Sequence, residues 1–294
     1  AYESWDQLLA GPKVADAVII CLQDQMHFEP AIRALEKGYH VLLEKPMSPN
    51  PVECVVMGEY AEKYNRVFSI CHVLRYTPFY QKLKQLLTDG AIGRLVSITH
   101  IENVEHRHQA HSFVRGNWRD SRTSSPMILA KSCHDMDILL WLADADCTKV
   151  SSFGSLTHFK KENAPEGAPR YCLGGCPVKD ECPYYAPRMY LERDDWVGAV
   201  LRSVVSNDPS DEGVLRALKD GPYGRCVYHC DNNVVDHQVV NLEFANEVTV
   251  AFTMTAFTLE GGRSMKLMGT RGQIRADMEK NVIEVTNFST RNTE

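Results

Sequence analysis

The chain has 294 residues, more than most single domains, so two domains are expected. Its net charge of −6 argues against nucleic acid as the main partner. No apolar stretch is long enough to span a bilayer, and the first residues lack the pattern of a secretion signal. Ten cysteines in a chain with an ordinary core favour a cytoplasmic protein with free thiols, or a metal site, over a disulfide framework.

Apolar strands and amphipathic helices alternate over the first ninety residues, which is typical of a parallel sheet. Ser4 is predicted to cap a first helix, and Gly38 is predicted to end the second. Ser48 and Pro49 fit the N-cap and first position of the third helix. The predicted strands are residues 14–22 (a central strand), 39–43 and 66–71, and the helices are 4–9, 28–37, 48–65 and 78–88.

The pattern changes after Gly93. Residues 95–105 alternate between apolar and polar, as a half-exposed antiparallel strand does. A helix is predicted over residues 135–142, and further strands over 234–244, 248–257, 265–268 and 282–286. The chain is therefore expected to be α/β in residues 1–92, followed by an α+β domain in residues 93–294 with a large, mostly antiparallel sheet.

The triplet Glu44-Lys45-Pro46 directly follows the buried strand 39–43. It therefore lies at the carboxyl edge of the parallel sheet, where ligands of open α/β sheets bind. A shielded lysine at that edge is a candidate for proton transfer.

A series of short motifs extends this pattern along nearly the whole chain, and together they resemble the Gfo/Idh/MocA family of NAD(P)-dependent oxidoreductases. The motifs are Glu44-Lys45-Pro46, Arg75-Tyr76-Thr77-Pro78, Gly90-Ala91-Ile92-Gly93-Arg94, Asn117-Trp118-Arg119, and then His134 and Asp137. The resemblance implies a partial Rossmann domain in residues 1–92 and an open-sheet domain in residues 93–294 that covers the active site and often mediates oligomerisation. It also implies hydride transfer between NAD or NADP and a sugar, an inositol or a related polyol.

Two departures from the family pattern are visible. The Gly-rich turn that holds the pyrophosphate is absent, which indicates a chain trimmed at both ends or a natural form that holds dinucleotide poorly. In addition, Ala130 stands where the family often has an aspartate, with Lys131 next to it.

Lys45 and His134 are the candidate bases for the hydroxyl proton that is lost as a hydride leaves. Asp137 lies one helical turn from His134 and could orient its ring, while Lys131, one turn the other way, could bind a substrate oxygen or relay a proton. The alternatives are a salt bridge between Lys45 and Glu44 and a helix-cap role for His134.

The resemblance and the strand ends also give a set of cofactor-binding candidates. They are Leu22, Gln23, His27, Glu44, Lys45, Pro46, Arg75, Trp118 and Arg119. Packing with a surface cation is the alternative for Arg75, Trp118 and Arg119, and an ordinary helix N-terminus is the alternative for His27.

Three cysteines, Cys172, Cys176 and Cys182, are spaced as in a metal knuckle within an insertion of about residues 165–232. Cys226 is the preferred fourth ligand and Cys230 the alternative, because the two would be about 13 Å apart on an extended strand. Such thiolates suit structural zinc or an iron–sulfur cluster that pins the insertion. Free thiols or a disulfide are the alternatives.

Several polar residues remain open in role. His100, His106, His108 and His111 are interpreted as a solvated loop near the cleft in preference to a second metal site, and Asp236-His237 could face substrate. The expected partners are a small carbohydrate or polyol and a second copy of the chain through the open sheet. The alternatives to a dehydrogenase are a glycosidase that retains NAD and a non-catalytic sensor of dinucleotide or metabolite.

Overall fold

The computed structural model describes residues 1–192 and 196–294. The helices are α1 (Trp5–Ala10), α2 (Phe28–Glu36), α3 (Pro51–Lys63), α4 (Pro78–Thr88), α5 (His106–His108), α6 (Met127–Ala130), α7 (Cys133–Ala143), α8 (Ala186–Leu191), α9 (Trp196–Val205) and α10 (Asp211–Asp220). The strands are β1 (Ala17–Ile20), β2 (His40–Leu43), β3 (Phe68–Ile70), β4 (Leu95–Asn103), β5 (Cys147–Ser155), β6 (His237–Phe244), β7 (Thr249–Thr255), β8 (Gly262–Gly269), β9 (Gly272–Asp277) and β10 (Val282–Asn287).

The chain forms two compact units. The first contains residues 1–89 and 122–144, and the second contains residues 90–121 and 145–294. The change near residue 90 lies close to the predicted division at residues 92 and 93. Residues 122–144 belong to the first unit because α7 is held there by polar contacts, one of which runs from Lys84 Nζ to the carbonyl of Trp141 at 2.7 Å.

The first unit is built on a three-stranded parallel sheet in the order β1–β2–β3. Its apolar core joins α2, β2 and α3 through side chains that are almost fully buried, including Leu35, Val41, Leu43 and Met57. Strand β1, predicted as central, lies at the edge of this sheet, and Ile19 is 67% exposed there.

Local capping explains where the helices begin and end. Ser4 caps α1 as predicted, and α2 ends before Gly38, whose φ of 85° favours glycine. The predicted cap of α3 was wrong: Asn50 Oδ1 accepts from the backbone N–H of Val52, and Pro51 takes the first position. The hydroxyl of Ser48 is already used, since it donates to Glu53 and accepts from the Asn50 N–H.

The second unit is built on a seven-stranded sheet in the order β10–β9–β8–β4–β7–β6–β5. Only the β4–β7 pair is parallel. Alternate residues of β4, such as Ile98 and His100, are buried, whereas their neighbours face outwards, so one face of the sheet is covered. A parallel sheet followed by a mostly antiparallel open sheet confirms the predicted fold class.

Two of the strands, β5 and β9, were missed by the sequence prediction. Every residue of β5 is exposed, so its sequence carries no apolar alternation. None of the helices in the described part of the chain has the length and apolar character needed to cross a membrane.

Candidate active site at the end of the parallel sheet

The carboxyl ends of the three parallel strands place polar residues on one edge of the first unit. Cys21 and Leu22 follow β1, Glu44 and Lys45 follow β2, and Cys71 and His72 follow β3. In the parallel register, Ile20 of β1 lies beside Leu43 of β2, and Leu43 lies beside Ile70 of β3. The sheet therefore concentrates these groups where ligands of such folds bind.

Lys45 is half-buried, and its ammonium donates to the backbone carbonyl of Ala130 at 2.9 Å. This bond joins the end of β2 to the turn that precedes α7, and α7 carries His134. Position 130 thus contributes its carbonyl oxygen, which any residue there would supply. The structure therefore brings the Lys45 ammonium into contact with the backbone just before the helix that carries His134.

Arg75 makes a two-pronged ion pair with Asp137 on α7. Its Nε lies 2.7 Å from Asp137 Oδ2, and its Nη2 lies 2.6 Å from Oδ1. Such bidentate pairs fix geometry as well as charge. Arg75, expected to line the cofactor cleft, therefore also orients the α7 carboxylate.

His72 completes this cluster and was missed by sequence reasoning. Its Nε2 lies 3.9 Å from Asp137 Oδ1, and its ring stands edge-on to His134 with centroids 6.3 Å apart. Its Nδ1 is buried and makes no hydrogen bond within the described residues. Burial lowers the pKa of His72, and Arg75 and Lys45 lower it further against the opposing effect of Asp137, which favours the neutral imidazole. The only available signal was its position directly after β3.

The turn after β1 anchors the segment that leads to α6 and α7. Asp24 is buried and accepts from the hydroxyls of Ser124 and Ser125. Gln25 Nε2 donates to the carbonyls of Arg122 at 2.8 Å and Ser124 at 3.0 Å. These contacts, like Lys45–Ala130 and Arg75–Asp137, hold the His134 segment to the sheet edge, and sequence reasoning missed them because the partners are about 100 residues apart.

Two of the cofactor candidates have structural contacts of their own. His27 is fully buried, and its ring nitrogens lie 2.9 Å from the Pro46 carbonyl and 3.0 Å from the Leu22 carbonyl. It braces the turns after β1 and β2, which supports a positioning role for these turns. Glu44 Oε2 accepts from the N–H of Lys45.

Gln23 lies just before a short 3₁₀ turn, Asp24–Met26. Trp118 and Arg119 belong to the second unit. There Arg119 pairs with Asp231, with Nε 2.9 Å from Oδ1, and Trp118 stacks at a tilt on Phe113.

Lys131 does not lie one helical turn from His134, contrary to the prediction. It directly follows the last residue of α6, Ala130, and Ser132 separates it from α7, which begins at Cys133. Burial raises the pKa of the Cys133 thiol to about 11, so this neighbour of His134 is held as an unreactive thiol.

All ten cysteines are free. No set of three or more His, Cys, Asp or Glu side chains in residues 1–192 and 196–294 is arranged to hold a metal ion, so the structure does not support the metal expectation as it was made. The assumed strand at residues 226–230 was also wrong, because Val227–His229 form a 3₁₀ turn.

The expected solvated histidine loop was wrong for two of its members. His100 is fully buried on β4 and stacks on Phe252 at 5.4 Å between centroids. His111 is buried and bonds the hydroxyl of Tyr190 at 3.1 Å. Asp236 is also fully buried and accepts from the backbone N–H groups of Thr157 and His158, so its role is to fix the chain.

Solved structures share this fold across the whole chain. A levoglucosan dehydrogenase in complex with NADH and levoglucosan superposes with a TM-score of 0.67 and 17% identity, covering 100% of this chain and 63% of that one. This likeness shows the fold that the two proteins share, a parallel sheet followed by a mostly antiparallel open sheet.

Family models make the assignment specific. The NAD-binding Rossmann fold of the oxidoreductase family matches residues 1–72, and the GFO/IDH/MocA C-terminal domain matches residues 80–275. The chain belongs to the Gfo/Idh/MocA family, as the sequence motifs indicate.

Curated relatives agree with this assignment. The YteT protein of Bacillus subtilis is 23% identical over 280 residues, which is 94% of this chain and 63% of that protein. The inositol 2-dehydrogenase/D-chiro-inositol 3-dehydrogenase of Lactiplantibacillus plantarum is 24% identical over 153 residues, covering 52% of this chain and 40% of that protein. The chain therefore spans less than two thirds of the length of these relatives.

Proposed function

We propose that the protein is a dehydrogenase that transfers a hydride between a nicotinamide cofactor, NAD or NADP, and a hydroxyl-bearing carbon of a sugar, an inositol or a related polyol. The observation that carries this proposal is the Lys45–Ala130 bond, because it joins the amine at the sheet edge to the segment of His134. The names of the inositol and levoglucosan dehydrogenases among its relatives support the substrate class.

The residues present fit the nicotinamide end of a dinucleotide. Lys45 offers an amine at the carboxyl edge, and the buried Nδ1 of His72 has no hydrogen-bond partner within the described chain. The turns after β1 and β2, braced by His27, would hold this end with Leu22, Gln23, Glu44 and Pro46. When bound, the nicotinamide supplies the hydride acceptor or donor.

Each residue of the site then has a distinct part in moving the proton of the substrate hydroxyl. Lys45 is oriented by the Ala130 carbonyl and is one candidate base, and His134 on α7 is the other. Asp137 is fixed by Arg75 and sets the position of α7 beside β3. His72 is a positioning residue, because its ring contacts both Asp137 and the ring of His134. Lys131, in the turn between α6 and α7, is proposed only as a substrate contact.

The test is an assay of the full-length protein against a panel of sugars and inositols with NAD⁺ and NADP⁺, monitored by reduced nicotinamide. Turnover with at least one polyol is expected. Product formed without accumulation of reduced cofactor would indicate bond cleavage with a retained cofactor instead. Dinucleotide binding without turnover on any member of the panel would indicate a sensor.

We also propose that the exposed face of the seven-stranded sheet packs against a second copy of the chain. On that face, strands β5 and β6 expose Phe153 and Val239, at 71% and 39%. Phe153 pairs with Val239 across β5 and β6. Light scattering of the full-length protein should show a dimer or larger oligomer, and Phe153→Lys should weaken it; a monomer at all concentrations would contradict the proposal. The expected cytoplasmic location stays a prediction that cell fractionation tests.

A further inference from the structure

His27 is a buried histidine whose two ring nitrogens both face backbone carbonyl oxygens. Its Nδ1 lies 2.9 Å from the carbonyl oxygen of Pro46, and its Nε2 lies 3.0 Å from that of Leu22. The residue is 0% exposed, so bulk water does not reach the ring. A carbonyl oxygen only accepts hydrogen bonds. Both contacts are therefore hydrogen bonds only when each ring nitrogen of His27 carries a hydrogen.

A neutral imidazole cannot supply both bonds. It has one N–H group and one nitrogen lone pair, whereas the imidazolium has two N–H groups. In a neutral His27, a nitrogen lone pair would point at a carbonyl lone pair across 2.9 or 3.0 Å. The contact of His40 on β2 is different, because its Nδ1 accepts from the backbone N–H of Val67 at 2.9 Å. That bond needs an unprotonated nitrogen, so His40 bonds Val67 as a neutral ring.

The groups around His27 act on its positive charge in both directions. Lys45, next to Pro46, disfavours a second cation, and so does the N-terminus of α2, where His27 stands as the N-cap. The carboxylates on the segments that meet here favour the charge, and these segments carry Asp24, Glu29, Glu44 and Glu53. The two carbonyl bonds favour it as well, since bonds from a charged donor are stronger than bonds from a neutral one.

The two bonds join the turn after β1 to the turn after β2. Leu22 belongs to the first of these turns, and Pro46 belongs to the second. Pro46 directly follows Lys45, whose ammonium donates to the Ala130 carbonyl at 2.9 Å. When the His27 ring has only one N–H group, only one of the two turns stays bonded to it. The protonation state of His27 thus controls how firmly the end of β2 that carries Lys45 is held.

We infer that His27 is a proton-dependent clamp on the carboxyl edge of the parallel sheet. As an imidazolium it ties the turns after β1 and β2 together, and when its proton passes to solvent one of the two bonds is lost. The inference rests on the proposed dinucleotide site at this edge. His27 is a positioning residue there, because its buried ring acts through the carbonyls of Leu22 and Pro46. Dinucleotide binding should therefore weaken as the pH rises and this proton leaves.

The first test counts the protons on the His27 ring in the full-length protein, labelled with nitrogen-15 histidine. Two-bond proton–nitrogen NMR correlations distinguish a ring with two N–H groups from either neutral tautomer, and the signal that disappears in His27→Gln assigns the residue. Two protonated nitrogens are expected at about pH 6, and one of them should lose its proton as the pH rises. A neutral His27 ring at about pH 6 would overturn the inference, whatever the activity of the protein.

The second test measures the pH dependence of dinucleotide binding, with NADH and NADPH as probes and their fluorescence as the signal. The dissociation constant of the parent should rise about tenfold over the pH range in which NMR shows the His27 proton leaving, as expected for the loss of one hydrogen bond to a charged group. His27→Gln should lack this step and bind more weakly than the parent on its acidic side. His40→Gln is the matched control and should keep the step.

The outcomes separate the clamp from the proposed function. The same pH step in His27→Gln, or a flat profile in the parent while His27 loses its proton, would contradict the positioning role. Should His27→Gln not fold in thermal unfolding, the coincidence of the two pH transitions in the parent decides. Absence of dinucleotide binding at every pH would overturn the proposed function and the role of the clamp in it, while the proton count tests the state of His27 independently.

Discussion

Arg75 in the first unit and Arg115 in the second have different kinds of partner for their positive charges. Arg75 is 37% exposed and has both of its facing nitrogens on the carboxylate of Asp137. Arg115 is fully buried, and within the described residues its guanidinium contacts carbonyl oxygens, sulfur and the phenol of Tyr190. Arg75, which lies nearer to water, pairs with a carboxylate of the chain. Arg115, which is buried, has no carboxylate partner among the described residues.

This difference shows two ways in which the chain accommodates the positive charge of an arginine. Desolvation makes an unpaired buried charge costly, and the cost falls as water approaches. The Arg75–Asp137 pair is therefore complete as an element that positions α7. Arg115 instead shares its positive charge among neutral acceptors of the second unit.

The largest expected effect tests whether the first region is catalytic. Lys45→Ala removes the amine and its bond to Ala130, and turnover of the full-length enzyme should fall at least about 100-fold, the low end of general acid–base effects. Steady-state kinetics on the best substrate measures this. Lys63→Ala, on the surface of α3, is the control and should keep parental turnover. Near-parental turnover of Lys45→Ala would remove this lysine from the mechanism.

Asp137→Asn removes the carboxylate that pairs with Arg75. Arg75 then resembles Arg115 in having no carboxylate partner, but it lies nearer to water. The free energy of unfolding should fall by about 2 kcal/mol, the usual contribution of a hydrogen bond to a charged group. Urea unfolding followed by far-UV circular dichroism measures it. Asp144→Asn breaks the exposed pair with Lys84 and should cost much less. Equal losses would mean that the Arg75–Asp137 pair is not a special support of α7.

His111 provides a test by acidification, because protonation would place a second cation near Arg115. Burial first, and Arg115 second, lower the pKa of His111 from 6.5 to about 4. The folded state therefore binds fewer protons than the unfolded state, and stability present above pH 6.5 is lost as the pH falls towards 4.

At about pH 5.5 the expected loss is about 1 kcal/mol relative to pH 7.5. Urea unfolding at both pH values measures the loss, and His111→Phe should be less sensitive to pH by that amount. The same pH dependence in parent and variant would show that His111 is not the responsible group.

The smallest expected effect concerns the bonds that hold residues 122–126 to the first unit. Gln25→Ala removes two bonds to carbonyls that water can reach, so the free energy of unfolding should fall by about 0.5 kcal/mol. Thermal unfolding measures the change, with Gln85→Ala on α4 as the control. A loss as large as that of Asp137→Asn would show that these bonds, and not the ion pair, dominate the attachment of the segment.

Local pattern was sufficient for much of the fold. Helix α4 was predicted at its observed bounds, Pro78–Thr88, because Thr77 and Pro78 form a strong start signal. Strand β5 was missed because an exposed edge strand has no apolar period, and the cap of α3 was misplaced because Ser48 and Asn50 are both good caps. Lys45 and His134 were found from motifs, whereas His72 was not, because its importance comes from its neighbours in space.

The amino-acid sequence by itself determined most of the strands and helices, the family, and the residue types proposed for the site, since these follow from short-range periodicity, capping and motif spacing. Only the tertiary structure decided that residues 122–144 return to the first unit, that Arg75 binds Asp137, and that Asp24 binds Ser125. Those outcomes depend on contacts between residues far apart in the chain, where backbone pairing and the burial of charge select the partner, and no local pattern encodes that choice.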